Sequence, residues 1–386
     1  MEKVGGGIVT GTGTGTAAAR KVQRLAEACI AEVPPQYIQK PSNRPDTHIF
    51  DEKDDDDDNE GSIPLIDLTG LDEEDKRRSI WESIGKACKE WGAFHVTNHG
   101  VDLALLRRMR SVARAFFEDL PIQEKLHYAC NPSSFASQGY GSRMLAAPPA
   151  SSHHPPQNED ADILDWRDYF DHHTLPLSRR NPSRWPHSPP TYREVVVEYS
   201  DEMKVLAQKL LGLISESLGL PTSSIEHAIT NGIGDFYQNI TVSYYPPCPQ
   251  PHLTLGLQSH SDIGALTLLI QDDVPGLEVF KDSHWFPVTP LPHAILVLLA
   301  DQTEIITNGI YKSAEHRAVT NSSRARLSVA TFHDPARSLK ISPALEIVNE
   351  SFPAKYREVY YGDYVSSWYT KGPGGKRNID ALLIDS

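Results

Sequence analysis

The stretch "GLQSHSDIGALTLLIQDD", residues 256–273, joins two kinds of chemistry in one short run. Its second half, Ala265 to Ile270, is rich in apolar residues and closed by Gln271-Asp272-Asp273, so it reads as a core strand. His260 and Asp262 stand just before it. In an extended chain residues i and i+2 project to one face, so an imidazole and a carboxylate point the same way. Burying that pair against a core is costly unless something binds both. A metal ion would.

The surroundings of this stretch set the fold class. From about residue 238 onward short apolar runs recur with turns between them: "NITVSYY", "GLEVF", "HWFPV", "HAILVLLA", "EIITN", "EHRAVTN" and "RLSVATFH". So many predicted strands at near-even spacing imply a sandwich or barrel. Upstream the texture is mixed and mostly helical. Helical spacing is present in residues 17–31, in "EEDKRRSIWESIGKACKEWG", in "DLALLRRMRSVARAFFEDLPIQEKL" read as one long helix, and in "VVVEYSDEMKVLAQKLLGLISESLGL". "SIPLIDLTGL" and "AFHVTNHGV" read as short strands between them. The expected organisation is a tail over 1–16, a mostly helical region over 17–237, a β-rich core over 238–345, and a C-terminal helix and tail over 346–386.

Composition narrows the function classes. The chain has 386 residues, 39% hydrophobic and 23% charged, as expected for a globular protein of ordinary core size. The net charge of −14 is partly local, in the acidic run 51–60, which reads as a solvated loop. So acidic a chain without a basic block is not expected to bind nucleic acid. The four cysteines, Cys29, Cys88, Cys130 and Cys248, show no C-x-x-C spacing and indicate a reducing compartment without disulfides. No apolar stretch is long enough to span a bilayer, and the N-terminus lacks a secretory apolar block, so the expected location is the cytoplasm. "GGGIVTGTGTGT" does not place glycines at the G-x-G-x-x-G offsets, and no G-K-[ST] follows.

His260 and Asp262 need a third ligand if a metal is the answer. The best candidate is His316 in "NGIYKSAEHRAVTN", on another predicted strand of the same β-rich region. Two histidines and one carboxylate are the ligand set of non-haem Fe(II) oxygenases, and zinc accepts the same set, so the triad alone leaves the metal open. Arg326 and Ser328 in "RARLSV" share one strand face, here the inward one. A buried arginine is usually paired, and its planar fork suits a carboxylate, so Arg-x-Ser reads as an anchor for an acidic cosubstrate or as an internal ion pair. The adjacent His153 and His154, in a Pro-rich polar loop, read as solvated.

The chain resembles the plant 2-oxoglutarate- and Fe(II)-dependent dioxygenases, the family of flavonol synthase, anthocyanidin synthase and gibberellin oxidases. The resemblance runs from about residue 17 to the end, through "IPLIDL", "WGAFHVTNHGV", "QGYGS", "LDWRDYF", "SYYPPCPQP", "LGLQSHSDIGALTLLIQDD", "GLEVF", "NGIYKSAEHRAVTN" and "RARLSV" in that order. It implies an α+β fold with a mainly β core, a double-stranded β-helix (jelly roll) with surrounding helices. It implies iron at His260, Asp262 and His316, and the distal carboxylate of 2-oxoglutarate at Arg326 and Ser328 with Tyr245 as a further donor. By position, Tyr140, Phe170 and Phe332 are expected to line the substrate pocket, and "PAKYREVYYGDYVSSWYTKG" to close the barrel mouth.

The activity so implied is oxidation of a small plant metabolite (a phenylpropanoid, flavonoid, alkaloid or hormone-like molecule) by hydroxylation, desaturation or ring closure. 2-Oxoglutarate and O2 become succinate and CO2, with ascorbate as reductant, and the chain is expected to act as a monomer. Three alternatives stand beside it: a same-fold Fe(II) oxidase not using 2-oxoglutarate, a non-enzymatic small-molecule binding protein, and a zinc hydrolase, for which no general base is evident. The chain departs from the family at Ser243, commonly Asn, and at Ala300, commonly Gly. The loop around residues 147–159 is longer than usual and is expected to shape the pocket mouth.

Overall fold

The computed structural model describes residues 21–45, 61–131, 138–141, 163–232 and 236–384. The tail 1–16, the acidic run 51–60, the His153–His154 pair and the loop 147–159 lie outside these residues.

Among the described residues twelve strands carry the architecture: β1 (Leu65–Asp67), β2 (Ala93–Thr97), β3 (Gly139–Gly141), β4 (Asp168–Leu175), β5 (Tyr237–Tyr245), β6 (Leu257–His260), β7 (Leu266–Gln271), β8 (Leu277–Lys281), β9 (His284–Pro287), β10 (Ile295–Leu299), β11 (His316–Ala318) and β12 (Arg326–Asp334). They form an eight-stranded sheet in the order β1-β2-β10-β7-β12-β5-β4-β3 and a four-stranded sheet in the order β6-β11-β8-β9. All neighbours pair antiparallel except β1 with β2. With the surrounding helices this is the expected jelly-roll architecture. Eight helices are relevant: α1 (Val22–Glu27), α2 (Glu74–Glu90), α3 (Leu103–Glu118), α4 (Ile122–Leu126), α5 (Tyr192–Ser217), α6 (Ser224–Thr230), α7 (Asp301–Ile306) and α8 (Tyr361–Lys371).

The large sheet is buried on both faces, for different reasons. Ile240, Val242, Leu266, Leu268, Ile270, Leu327 and Val329 join one core with Val195, Tyr199, Met203 and Leu210 of α5 and Leu106, Met109 and Phe116 of α3. Each such side chain contributes about 1.5–3 kcal/mol by leaving water. The alternate residues of the same strands face a cavity between the sheets. At one end of that space a second apolar cluster, with Trp91, Leu269, Leu277, Val279, Leu296 and Leu298, closes it.

Local structure differs from expectation in three places. The segment 102–126 is two helices, because Pro121 lacks an N–H and disfavours helical backbone at Leu120, ending α3 at Glu118. Of the helix expected over 17–31, the described residues from 21 onward hold α1, which ends at Glu27; Cys29 turns left-handed at φ 49° and the chain leaves through Pro34-Pro35. "EIITN" is not a strand but part of α7. There Asp301 accepts from Tyr364 Oη at 2.6 Å and from Ser313 Oγ at 2.7 Å, and Glu304 accepts from the Ser313 N–H at 2.6 Å, bonds that hold the buried acids of a one-and-a-half-turn helix.

Candidate metal centre and the cavity around it

β6 ends at His260, the chain turns through Ser261-Asp262, and β7 begins four residues on. β11 pairs His316 directly opposite His260. The three side chains converge: His260 Nε2 lies 3.5 Å and His316 Nε2 3.8 Å from Asp262 Oδ1. One ligand atom from each falls within 4.8 Å of the others, and all three residues are buried.

The remaining atoms of the triad are tied to the protein. His260 Nδ1 is 2.8 Å from the Gln258 carbonyl and His316 Nδ1 is 2.9 Å from the Ala314 carbonyl. A carbonyl only accepts, so both Nδ1 atoms carry a hydrogen, and both Nε2 atoms face Asp262. Thr267 Oγ1 donates to Asp262 Oδ2 at 2.6 Å, leaving Oδ1 for the shared centre. Helix α7 braces the turn, since the Asp301 N–H donates to the Asp262 carbonyl at 2.9 Å. The C-terminal segment braces the other side, where Gly375 pairs with the backbone of Ser259 and Ser261.

Electrostatics agree with a cation's place. Burial pushes the Asp262 carboxyl up, but His316, His260 and the Thr267 hydroxyl outweigh it and hold the group at about 2. Burial, with His260 beside it, pushes His316 down to about 4. Burial works against charge on His260 too, yet Asp262 raises it overall, so a proton there balances the carboxylate. A divalent ion replaces that proton with a larger charge. The donor set and tautomers fit such an ion.

The inner face of the large sheet forms rows across β12, β5 and β4. Register places Arg326 opposite Tyr245, Ser328 opposite Ser243 opposite Tyr169, Ala330 opposite Thr241 opposite Asp171, and Phe332 opposite Asn239 opposite His173. All of these line the cavity, as do Trp368 and Tyr369 of α8. Arg326 Nη2 donates to Gln271 Oε1 at 2.6 Å, whereas its Nε and Nη1 are buried without a hydrogen-bond partner among the described residues. Buried guanidinium donors in this state suit an incoming carboxylate. Gly276 makes room for the side chain: a Cβ there would stand 2.9 Å from Arg326 Cδ. Gly256 does the same for Tyr245, whose Cδ1 would lie 2.6 Å from an added Cβ.

Of the residues expected at the substrate pocket, Phe332 lines the cavity and Tyr140 and Phe170 do not. Both are fully buried in the helix-side core, where their ring edges meet Phe116 at 5.7 and 5.1 Å between centroids. The reason is strand parity, since Tyr169 and Asp171 face inward and Phe170 between them must face outward. The sequence reading missed Arg167, Asp171, Asn239, Thr241 and Asp334. The i, i+2 pattern in "WRDYFDHH" contains Arg167, Tyr169, Asp171 and His173 and was the available signal.

Comparison with known proteins supplies the family. The model for the 2OG-Fe(II) oxygenase superfamily matches residues 236–335, and that for the N-terminal region named non-haem dioxygenase in morphine synthesis matches 63–188. Jasmonate-induced oxygenase 4 of Arabidopsis thaliana is 38% identical over 94% of this chain and 96% of its own length. The chain belongs to the 2OG-Fe(II) oxygenase superfamily. Another relative, oxoglutarate-dependent flavonoid 7-O-demethylase 1 of Ocimum basilicum, is 35% identical over 95% of this chain and 91% of its own. The crystal structure of JOX2 in complex with 2OG, Fe and JA matches with a TM-score of 0.81 at 37% identity, covering 95% of this chain and 98% of that one. This oxygenase is therefore an iron- and 2-oxoglutarate-dependent oxidoreductase, which displaces the oxidase, binding-protein and hydrolase alternatives. Among its described residues no helix is long and apolar enough to cross a membrane.

Proposed function

We propose that His260, Asp262 and His316 hold the Fe(II), and that Arg326, Ser328 and Tyr245 hold the distal carboxylate of 2-oxoglutarate. The observation that carries this reading is the convergence of three buried ligand atoms whose partner atoms are already bonded to protein. Arginine donors buried without partners at the other end of the same cavity support the second half. Bound iron, with 2-oxoglutarate and dioxygen, supplies the oxidising power. The chain's own part is to fix the three ligands on one side of the ion, leaving open coordination positions, and to orient a substrate against them in a water-poor space.

The substrate in this reading is a small plant metabolite, phenylpropanoid, flavonoid, alkaloid or hormone-like, oxidised in the cytoplasm by hydroxylation, desaturation or ring closure. Its region is the end of the cavity carrying Asp171, His173, Phe332, Trp368 and Tyr369, mixed aromatic and polar as a functionalised aromatic substrate requires. A relative named as a flavonoid demethylase and the JOX2 structure in complex with JA agree with molecules of this size. The test is a panel of plant metabolites with the iron-loaded enzyme, following succinate and oxidised product together. Equal amounts of both are expected for a true substrate. Oxidised product without succinate would overturn the cosubstrate assignment.

A further inference from the structure

The row that contains Arg326 and Tyr245 does not end at Tyr245. β4 and β5 pair Asp168 with Tyr244 and Tyr169 with Ser243, so Arg167, one residue before β4, continues the row on the far side of Tyr245. Adjacent strands lie about 4.8 Å apart, which puts the three backbones within roughly 10 Å. Parity sends the Arg167 side chain inward with Tyr169 and Asp171, and the residue is buried and lines the cavity. Its Nη1 donates to Ser243 Oγ at 2.9 Å. Asp165 Oδ2, 3.9 Å from its Nε, makes an ion pair with it.

Arg326 and Ser328 flank Tyr245 and Ser243 from β12, and Arg167 flanks them from the β4 side, with its Cζ 5.4 Å from the Tyr169 ring centroid. Arg326 lies with its Cζ 5.0 Å from the Tyr245 ring centroid. Burial pushes the Tyr245 phenol up, but Arg167 and then Arg326 pull it down, aided by the Ser243 and Ser328 hydroxyls, and the net direction is downward. Both arginines therefore act on the same hydroxyl. Arg167 has Asp165 and Asp171 beside it, and a carboxylate reaching Arg326 and Tyr245 would enter the field of this second guanidinium as well.

We propose that Arg167, steadied by Ser243, is a second arginine for the distal carboxylate of 2-oxoglutarate, facing Arg326 across Tyr245. Ser243 matters by its size as well as its hydroxyl, since a longer side chain there would occupy the place of the guanidinium. The assignment rests on the reading that Arg326 anchors 2-oxoglutarate, and extends it to a residue that touches the cosubstrate from the opposite strand.

The test measures binding rather than turnover. Full-length protein is loaded with zinc in place of iron, and 2-oxoglutarate and 2-oxobutyrate, which lacks the distal carboxylate, are titrated calorimetrically. Arg167→Met is expected to weaken 2-oxoglutarate about ten- to hundredfold, the effect of one charge-assisted hydrogen bond, and to leave 2-oxobutyrate unchanged. Arg167→Lys should recover part of the loss. Unchanged 2-oxoglutarate binding in folded Arg167→Met overturns the proposal, and is the result expected if Arg167 instead holds a carboxylate of the substrate. Equal weakening of both ligands also overturns it, because Arg167 would then be supporting the metal end. Should Arg167→Met not fold, Ser243→Ala carries the same test, with a smaller loss expected for 2-oxoglutarate only. Arg326→Met is the control: if it too leaves 2-oxoglutarate binding unchanged, the underlying anchor reading fails, whereas loss there with none at Arg167 overturns only the second arginine.

Discussion

Asp262 and Asp334 are both buried, both line the cavity, and have opposite electrostatic characters. Asp262 meets two imidazoles and a threonine hydroxyl, which overcome burial and keep it ionised down to about 2. Asp334 is pushed up to about 7 by burial and then by the charge of Asp262 itself, with Asn239 Nδ2 at 3.1 Å only partly offsetting this. Burial alone therefore does not make a carboxylate a ligand. What distinguishes Asp262 is that one oxygen is tied to Thr267 while the other faces the Nε2 atoms of two histidines. Asp334 has one oxygen bonded to Asn239 and the other, Oδ1, without a partner among the described residues.

The sharpest way to break this comparison is to delete a member of the triad. Asp262→Ala or His316→Ala is expected to abolish substrate-dependent succinate formation, and with it iron retention after desalting, while leaving the melting transition cooperative. The apolar core is built between the outer sheet face and α2, α3 and α5, away from the triad, so the fold does not depend on these side chains. Asp334→Ala should retain iron. Near-normal turnover by His316→Ala would remove the triad assignment altogether.

The comparison also explains what the sequence could disclose. Arg326 and Ser328 were legible because they sit at i, i+2 on a strand, where spacing alone fixes a shared face, and His260 and Asp262 because the same spacing survives the turn that follows β6. Tyr140 and Phe170 were misread because both faces of β4 are buried, one by helices and one by the cavity, so hydrophobicity does not tell in from out. That Asp334 falls beside Asn239 and Arg167 beside Tyr245 depends on which strands become neighbours, and that register is set by long-range pairing no local pattern encodes. "EIITN" reads as a strand by its apolar pair, Ile305-Ile306, but its Glu304 and the preceding Asp301 find partners in Ser313, Tyr356 and Tyr364, outside the segment.

A smaller effect is expected at the cationic end, where the comparison can be sharpened with charge kept constant. Arg326→Lys preserves the positive charge and keeps the bond to Gln271 within reach, but removes the planar fork whose Nε and Nη1 have no partner among the described residues. The apparent 2-oxoglutarate requirement should rise about ten- to hundredfold, the loss of roughly 1.5–3 kcal/mol in one charge-assisted hydrogen bond. The maximal rate at saturating cosubstrate should change far less. An unaltered requirement would mean that Arg326 serves an internal ion pair and not the cosubstrate.

The smallest effect concerns Asp334, and its sign separates the two aspartates. A carboxyl whose folded value lies near 7 against an ordinary 3.8 binds its proton more tightly folded than unfolded. Between those values the folded state holds the extra proton, so stability falls as pH rises across the window and the whole penalty is present above about 7. Asp262, with its folded value below 3.8, has the reverse dependence: it stabilises above the ordinary value and loses that contribution in acid. Asp334→Asn keeps the shape and can still accept from Asn239 through its amide oxygen, but carries no charge to bury. The metal-free variant should therefore melt a few degrees above wild type at pH 8, and the gap should close towards pH 4. Thermal melts of both proteins across that range, with chelator present throughout, decide it. A constant gap at every pH would trace the gain to packing, and a variant less stable at pH 8 would show that ionised Asp334 is stabilised by partners stronger than Asn239.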